Sequence, residues 1–162
     1  MISLAGAIEA PSNVPSTSYD MFLRATRAIT RRAGDVAAAF RRMVFNVLAS
    51  NRDDHTRQHA YLMDSSGDWR LAPAYDLTFS SGPGGEHYMD IAGEGRRPTR
   101  AHVTGLGETH GYNPRQVAVV IDEIRAAVAD WPRFAKQAGV SAASAKAIGQ
   151  AHARVWADFE PK

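Results

Sequence analysis

The run Phe45-Asn46-Val47-Leu48-Ala49-Ser50-Asn51-Arg52-Asp53-Asp54-His55-Thr56-Arg57-Gln58-His59-Ala60-Tyr61-Leu62-Met63 changes character twice. Leading into it, Phe40, Met43, Val44, Val47 and Leu48 stand at i, i+3, i+4, i+7 and i+8, the spacing of one apolar stripe on a helix. From Asn51 to His59 every residue is polar, and no helical or strand period survives. Tyr61-Leu62-Met63 and Trp69-Arg70-Leu71 then flank Asp64-Ser65-Ser66-Gly67-Asp68, which reads as two short strands around a turn, closed by Pro73. A helix therefore delivers the chain to a polar loop and a hairpin carries it away, with the pair Tyr75-Asp76 just beyond.

Acid, amide, hairpin, acid is the order in which a protein kinase arranges its base and metal ligands. In the loop H-R-D-x-x-x-x-N the Asp accepts the substrate hydroxyl proton, the Asn binds one Mg²⁺, and a later Asp binds the ions that bridge the phosphates. Asp53 stands here for the base, Gln58 for the amide and Asp76 for the later acid. The words F-N-V-L-A-S-N-R-D-D-H-T-R-Q-H-A-Y-L-M and W-R-L-A-P-A-Y-D-L resemble the C-terminal catalytic region of the HipA family of bacterial toxin kinases. In that family the loop reads N-x-D-D/G-H-x-K/R-N and the metal-binding acid follows a hairpin in a Y-D pair. The resemblance runs from about Leu4 to about Val140 and covers less than half of a typical family member.

The resemblance implies a serine/threonine kinase chemistry using ATP and Mg²⁺. Asp53 would be the catalytic base, with His55 beside the transferred phosphate as a catalytic and cofactor-binding residue. Arg57 would add cofactor-binding charge, and Asp76 with Gln58 would hold the metal. Asn51 is expected to fix the loop through side-chain hydrogen bonds. Gln58 departs from the family Asn: its extra methylene displaces the amide oxygen by more than near-octahedral Mg²⁺ tolerates without backbone adjustment. Lys136, Lys146 and Lys162 all follow the loop, so no lysine precedes it to pair with a helix glutamate. The nucleotide-covering lobe is therefore expected upstream or on a second chain, with weak or absent ATP binding and turnover by this chain alone. A degenerate, non-catalytic toxin-antitoxin interaction module is the alternative, and a DNA-binding antitoxin is a partner the resemblance brings in. The phosphoryl acceptor and the oligomeric state are not legible.

Composition agrees with one domain-sized core: 162 residues, 44% hydrophobic and 22% charged. We expect residues 1–162 to form a single domain that is mainly α with a small β-hairpin element, like the helical C-lobe of a protein-kinase-like fold. The net charge is +2 and the pI about 9.1, set by sixteen Arg and three Lys against seventeen acids, with no basic stripe. Without cysteine, disulfides and thiolate metal sites are excluded. No apolar run is long enough to span a membrane, so the default expectation is a soluble, cytoplasmic protein.

Along the chain, residues 1–16 read as an irregular lead-in carrying Pro11 and Pro15. A capping box at Thr17 and Asp20 predicts a helix to about Arg32, ended by Gly34, with Asp35 capping the next. Residues 51–59 form the catalytic-type loop and 77–98 an activation-segment-like mobile loop, with a short strand at His87–Ile91. Gly82-Pro83-Gly84-Gly85 lacks phosphate-loop spacing, and Pro83 removes a backbone donor, so no phosphate cradle is expected. Downstream, a short helix capped at Thr99 breaks near Gly105 and Gly107, Asn113-Pro114 opens another, and Ser141 opens a last one running toward Asp158. Arg96, Arg97 and Arg100 read as solvated surface, and His87, His102, His110 and His152 as surface or hydrogen-bonded histidines. His55 and His59, four apart, are the seed of a weaker third reading, a metal-dependent hydrolase completed by an Asp.

Overall fold

The computed structural model describes residues 1–9 and 17–160. Two helices form the centre. In α2 (Tyr19–Thr30), Tyr19, Phe22, Leu23, Thr26 and Thr30 share one buried face. In α3 (Ala33–Leu48), the stripe Phe40, Met43, Val44, Val47, Leu48 is buried as its spacing requires. Preceding them are β1 (Ile2–Ser3), α1 (Leu4–Ala7) and β2 (Thr17–Ser18). The irregular lead-in is thus corrected over residues 2–7: Leu4 is fully buried, its amide donates to the His59 carbonyl at 2.7 Å, and β1 pairs with β3. Pro11 and Pro15 lie outside the described residues.

Helix boundaries moved where a neighbouring residue offered better geometry. Ser18, not Thr17, caps α2, its hydroxyl accepting from the Met21 amide. Arg31 in the left-handed region (φ 55°) ends that helix, so Gly34 falls inside α3 and Asp35 in its first turn. The Asp35 carboxylate instead accepts from the Leu71 amide at 3.2 Å, pinning α3 to the hairpin.

The hairpin is β3 (Ala60–Met63) and β4 (Trp69–Leu71), antiparallel, in a three-stranded sheet of order β1-β3-β4. Its turn is held by the Asp64 carboxylate, which accepts from the Ser66 and Asp68 amides. Tyr61 is buried: the Thr26 hydroxyl donates to the Phe22 carbonyl and so accepts from Tyr61. β5 (Met89–Asp90) confirms the strand expected there, running parallel to β2.

The remaining helices are α4 (Arg100–Thr109), α5 (Pro114–Ala129), α6 (Trp131–Gln137) and α7 (Ala142–Trp156). Asn113 and Ser141 cap α5 and α7 as expected. α4 is unbroken. Gly107 lets α4 close on its neighbours: a Cβ there would stand 2.6 Å from the Val117 side chain and 3.3 Å from the Phe40 ring. α7 finishes α3, because the last carbonyls of a helix lack internal partners. Trp156 Nε1 donates to the Leu48 carbonyl at 3.2 Å, and His152 Nε2 stands 3.1 Å from the Ala49 carbonyl, which can only accept, so Nε2 carries the proton. No helix among the described residues is long and apolar enough to cross a membrane.

Candidate functional site

The polar loop leaves α3 under tension between two adjacent acids, and they are resolved oppositely. Asp54 is fully buried. Its Oδ2 accepts from the Tyr19 hydroxyl at 2.6 Å and lies 2.7 Å from His87 Nδ1, while Oδ1 accepts from the Tyr88 amide at 2.9 Å. Asn46 Nδ2 donates to the Tyr19 oxygen at 2.8 Å, and Asn51 Nδ2 donates to Asn46 Oδ1 at 3.0 Å. Burial, then the charge of Asp54, pushes the Tyr19 hydroxyl well above its ordinary pKa, so it stays a donor. The expected part of Asn51 in fixing the loop is visible in this chain of bonds, whereas Tyr19 and Asp54 carried no signal that sequence reasoning detected.

With Asp54 anchored inward, Asp53 faces outward with 46% of its side chain exposed. Its Oδ1 lies 3.9 Å from His55 Nε2. His55 Nδ1 accepts from the Arg57 amide at 3.2 Å, which leaves Nε2 as the protonated nitrogen facing Asp53. Tyr88 packs edge-on against the His55 ring, centroids 5.5 Å apart. Thr56–Gln58 forms a single 3₁₀ turn within the otherwise irregular loop.

The segment after the hairpin runs back along this loop. The Tyr75 hydroxyl donates to the Arg57 carbonyl at 2.5 Å, and Gln58 Nε2 donates to Asp76 Oδ2. Further along, Asn51 and Ser80 form a parallel bridge, and the Ser80 amide donates to the Ser50 carbonyl at 3.0 Å. Asp76 is exposed and sits in the left-handed region (φ 51°), which Asp tolerates better than most residues. Asp53, His55, Arg57, Gln58 and Asp76 are thus brought onto two hydrogen-bonded chain segments.

The activation-segment-like stretch is held at several points. Arg52 donates to the Gly85 and Arg96 carbonyls, the His87 amide donates to the Gly95 carbonyl at 2.8 Å, and β5 pairs with β2. Gly82 (φ 70°) is needed where this stretch crosses the loop, since a Cβ there would run into the Glu86 carbonyl and stand 2.7 Å from Arg52 Cβ. Arg96, Arg97 and Arg100 are not merely solvated: they reach Glu86, Asp158 and the Phe159 carbonyl respectively. The four scattered histidines are hydrogen-bonded, one of the two settings expected for them. His87 meets Asp54, His102 completes the α4 capping box, His110 meets Asp20 and His152 faces Ala49.

The His55–His59 metal pair is overturned. His59 is buried against Phe22, ring centroids 4.2 Å apart, and burial, with the charge of Arg42 adding to it, brings its pKa down to about 3. Among the described residues no group of three or more His, Cys, Asp or Glu side chains could hold a metal ion.

The family model for the HipA-like C-terminal domain matches residues 1–131. The chain belongs to that family. Its fold is also similar to a chain in the Shewanella oneidensis MR-1 toxin-antitoxin complex of HipA, HipB and operator DNA, with a TM-score of 0.59 and 18% identity. That match covers 91% of this chain and 31% of the other, so the HipA-like domain described here spans under a third of its relative's length. No curated protein matches the chain. The mainly helical architecture with small sheets agrees with the fold class expected for a HipA-like C-terminal domain.

Proposed function

We propose that this HipA-like domain is the catalytic-lobe portion of a Mg-ATP-dependent serine/threonine protein kinase. The observation that carries the reading is the split between the two adjacent acids: Asp54 is locked in the core while Asp53 is presented outward, beside a segment that carries Asp76. Phosphoryl transfer asks the protein mainly for positioning and charge neutralisation. In this reading the acceptor hydroxyl oxygen bonds to the γ-phosphorus, its proton passes to the Asp53 carboxylate, and ADP leaves. His55 Nε2, held by the Arg57 amide on its other nitrogen, faces the same space and can donate to a phosphate oxygen. Arg57 adds charge at the loop's edge.

A hard cation suits one exposed carboxylate with its remaining sites filled by water and phosphate oxygens, and Asp76 offers that. Mg²⁺, when bound, neutralises charge on the phosphates. Gln58 would steady the Asp76 carboxylate through Nε2, or ligate through the oxygen that this bond leaves over. The nucleotide-covering lobe is proposed to come from residues outside this chain or from a second chain, leaving the isolated domain with weak or no turnover. Transfer of radiolabelled phosphate from ATP by the domain together with its covering lobe, with and without Asp53→Asn, tests the reading: a drop of at least about 10²-fold is expected, in line with loss of a positioned base. Equal transfer by the two proteins would reject Asp53 as base.

The second reading is a non-catalytic interaction module that contacts a DNA-binding antitoxin or the other lobe. The engagement of the Gln58 amide by Asp76, where the family pattern has the shorter Asn, favours it. A longer protein that transfers no phosphate at any Mg²⁺ concentration, yet still co-purifies with its antitoxin, would select this reading.

A further inference from the structure

A cavity of about 670 Å³ opens between the end of α3, the segment from Phe79 to Pro98, and α7. Four arginines line it: Arg52, Arg96, Arg97 and Arg154. Two are already neutralised, Arg97 by a two-pronged contact with Asp158 (2.7 Å each) and Arg96 by Glu86 (2.8 and 3.0 Å). Arg52 donates to the Gly85 and Arg96 carbonyls and is acted on by the Asp54 and Glu86 carboxylates, whereas the Arg154 side chain makes no hydrogen bond or ion pair with the described residues. Burial lowers the Arg52 pKa, Asp54 and Glu86 oppose that shift and Arg96 adds to it, so Arg154 is the side chain left for an anion in the cavity. The lining also includes the apolar Val47, Phe79, Pro98 and Val155, with Phe79 exposed.

This arrangement selects the occupant. A nucleic-acid surface is a basic stripe that follows a phosphate backbone, and this chain has a net charge of only +2 and its spare cation, Arg154, at the border of a partly apolar recess. A carboxylate side chain next to an apolar one matches both linings, and guanidinium groups bind carboxylates through paired donors. Arg52 also immediately precedes Asp53, so their Cα atoms are about 3.8 Å apart. One extended peptide, at about 3.3 Å per residue, could reach from the base to the cavity within a few residues.

We propose that this cavity binds the acidic flank of the acceptor polypeptide, an Asp or Glu beside an apolar residue, close to the hydroxyl that Asp53 serves. The word acceptor rests on the kinase reading; the binding does not. The test is a fluorescence-anisotropy titration of the purified domain, without nucleotide, using a labelled Ser-containing peptide with Glu-Leu pairs and the same peptide with each Glu replaced by Gln. The Glu peptide is expected to bind at least about tenfold more tightly, and Arg154→Glu to erase that preference, consistent with loss of a charge-assisted contact. Phe79→Ser is expected to weaken both peptides together by removing the apolar wall. Arg154 is exposed on α7, and an unchanged thermal melt of Arg154→Glu would keep a lost preference from being read as unfolding. Equal binding of the two peptides overturns the proposal, as does a single-stranded oligonucleotide that binds more tightly than the Glu peptide and is released by Arg154→Glu. Because the titration contains no ATP, its failure leaves the kinase reading standing, and failure of phosphate transfer leaves the cavity's binding to be judged alone.

Discussion

The Tyr19 hydroxyl donates to the Asp54 carboxylate at 2.6 Å, joining the first turn of α2 to the polar loop across 35 residues of sequence. A buried carboxylate is tolerable only when its oxygens are satisfied, and Tyr19, His87 and the Tyr88 amide satisfy this one. With Asp54 held inward by these bonds, Asp53 stands on the outer side of the loop with 46% of its side chain exposed.

Tyr19→Phe should therefore cost more than a hydroxyl. It removes a donor from Asp54 and leaves Asn46 Nδ2 without its acceptor. The expected loss is about 1–3 kcal/mol of unfolding free energy, the usual penalty for stranding buried polar groups, read from urea denaturation at neutral pH. A variant as stable as the parent would mean that Asp54 is held by its other partners alone.

His59 makes the fold sensitive to acid. Its pKa falls from the ordinary 6.5 to about 3, chiefly because the charged ring would lose its hydration in the core. Between these values the unfolded chain binds a proton that the folded chain refuses, so the associated stability is complete above about pH 6.5 and lost as pH falls toward 3. The slope inside that window approaches about 1.4 kcal/mol per pH unit. Asp20, whose carboxyl is held below its usual range by His110 and Arg24 against the opposing effect of burial, adds its own acid sensitivity at lower pH. The difference between wild type and His59→Phe isolates the histidine: the variant should lose less stability between pH 7 and pH 5. Parallel stability curves would place the His59 ring in a wetter setting than the core.

Gly107→Ala tests the contact among α3, α4 and α5. An alanine favours a helix interior by about 1 kcal/mol over glycine, so on propensity alone this change stabilises. Here the added methyl would press on Val117 and on Phe40, itself stacked against Tyr112 at 4.7 Å. Overpacking should win, for a net loss of about 1–2 kcal/mol in thermal or urea unfolding. A stabilised variant would show that the helices can part at little cost.

The same glycine shows where sequence reading stops. Elements announced by local chemistry were legible: the α3 stripe, the Asp64 turn of the hairpin, the Asn113-Pro114 start of α5. Gly107 was read as a break because the residue that needs its missing side chain, Val117, is ten positions away. α6 escaped notice although Pro132 suits a first helical turn, since seven residues carry too little periodicity to stand out. The lead-in was read as irregular because its partner in β3 is some sixty residues downstream. For the site, Gln58 meets Asp76 and His55 stands beside Asp53, while the groups that fix the loop, Tyr19, Asp54 and Arg52, are tied by contacts that only the folded chain reveals.

The pairing of Gln58 with Asp76 separates a supporting role from a ligating one. If Gln58 only steadies the carboxylate, Gln58→Leu in the domain assayed with its covering lobe should raise the Mg²⁺ concentration for half-maximal phosphate transfer by about 10–100-fold, the usual cost of losing a partner of a metal ligand. Transfer at saturating Mg²⁺ would then be largely restored, because Asp76 itself remains. Gln58→Asn, which restores the family's residue, draws the amide back by one methylene. It should lower the Mg²⁺ requirement if ligation through the amide oxygen is what the longer side chain compromises, and raise it if the hydrogen bond to Asp76 is what counts. Asp76→Asn should abolish transfer at every Mg²⁺ concentration, since a neutral amide is a poor substitute for the one exposed carboxylate on that segment. Measured Mg²⁺ dependence that is the same for Asp76→Asn and wild type would remove the metal from this side of the loop.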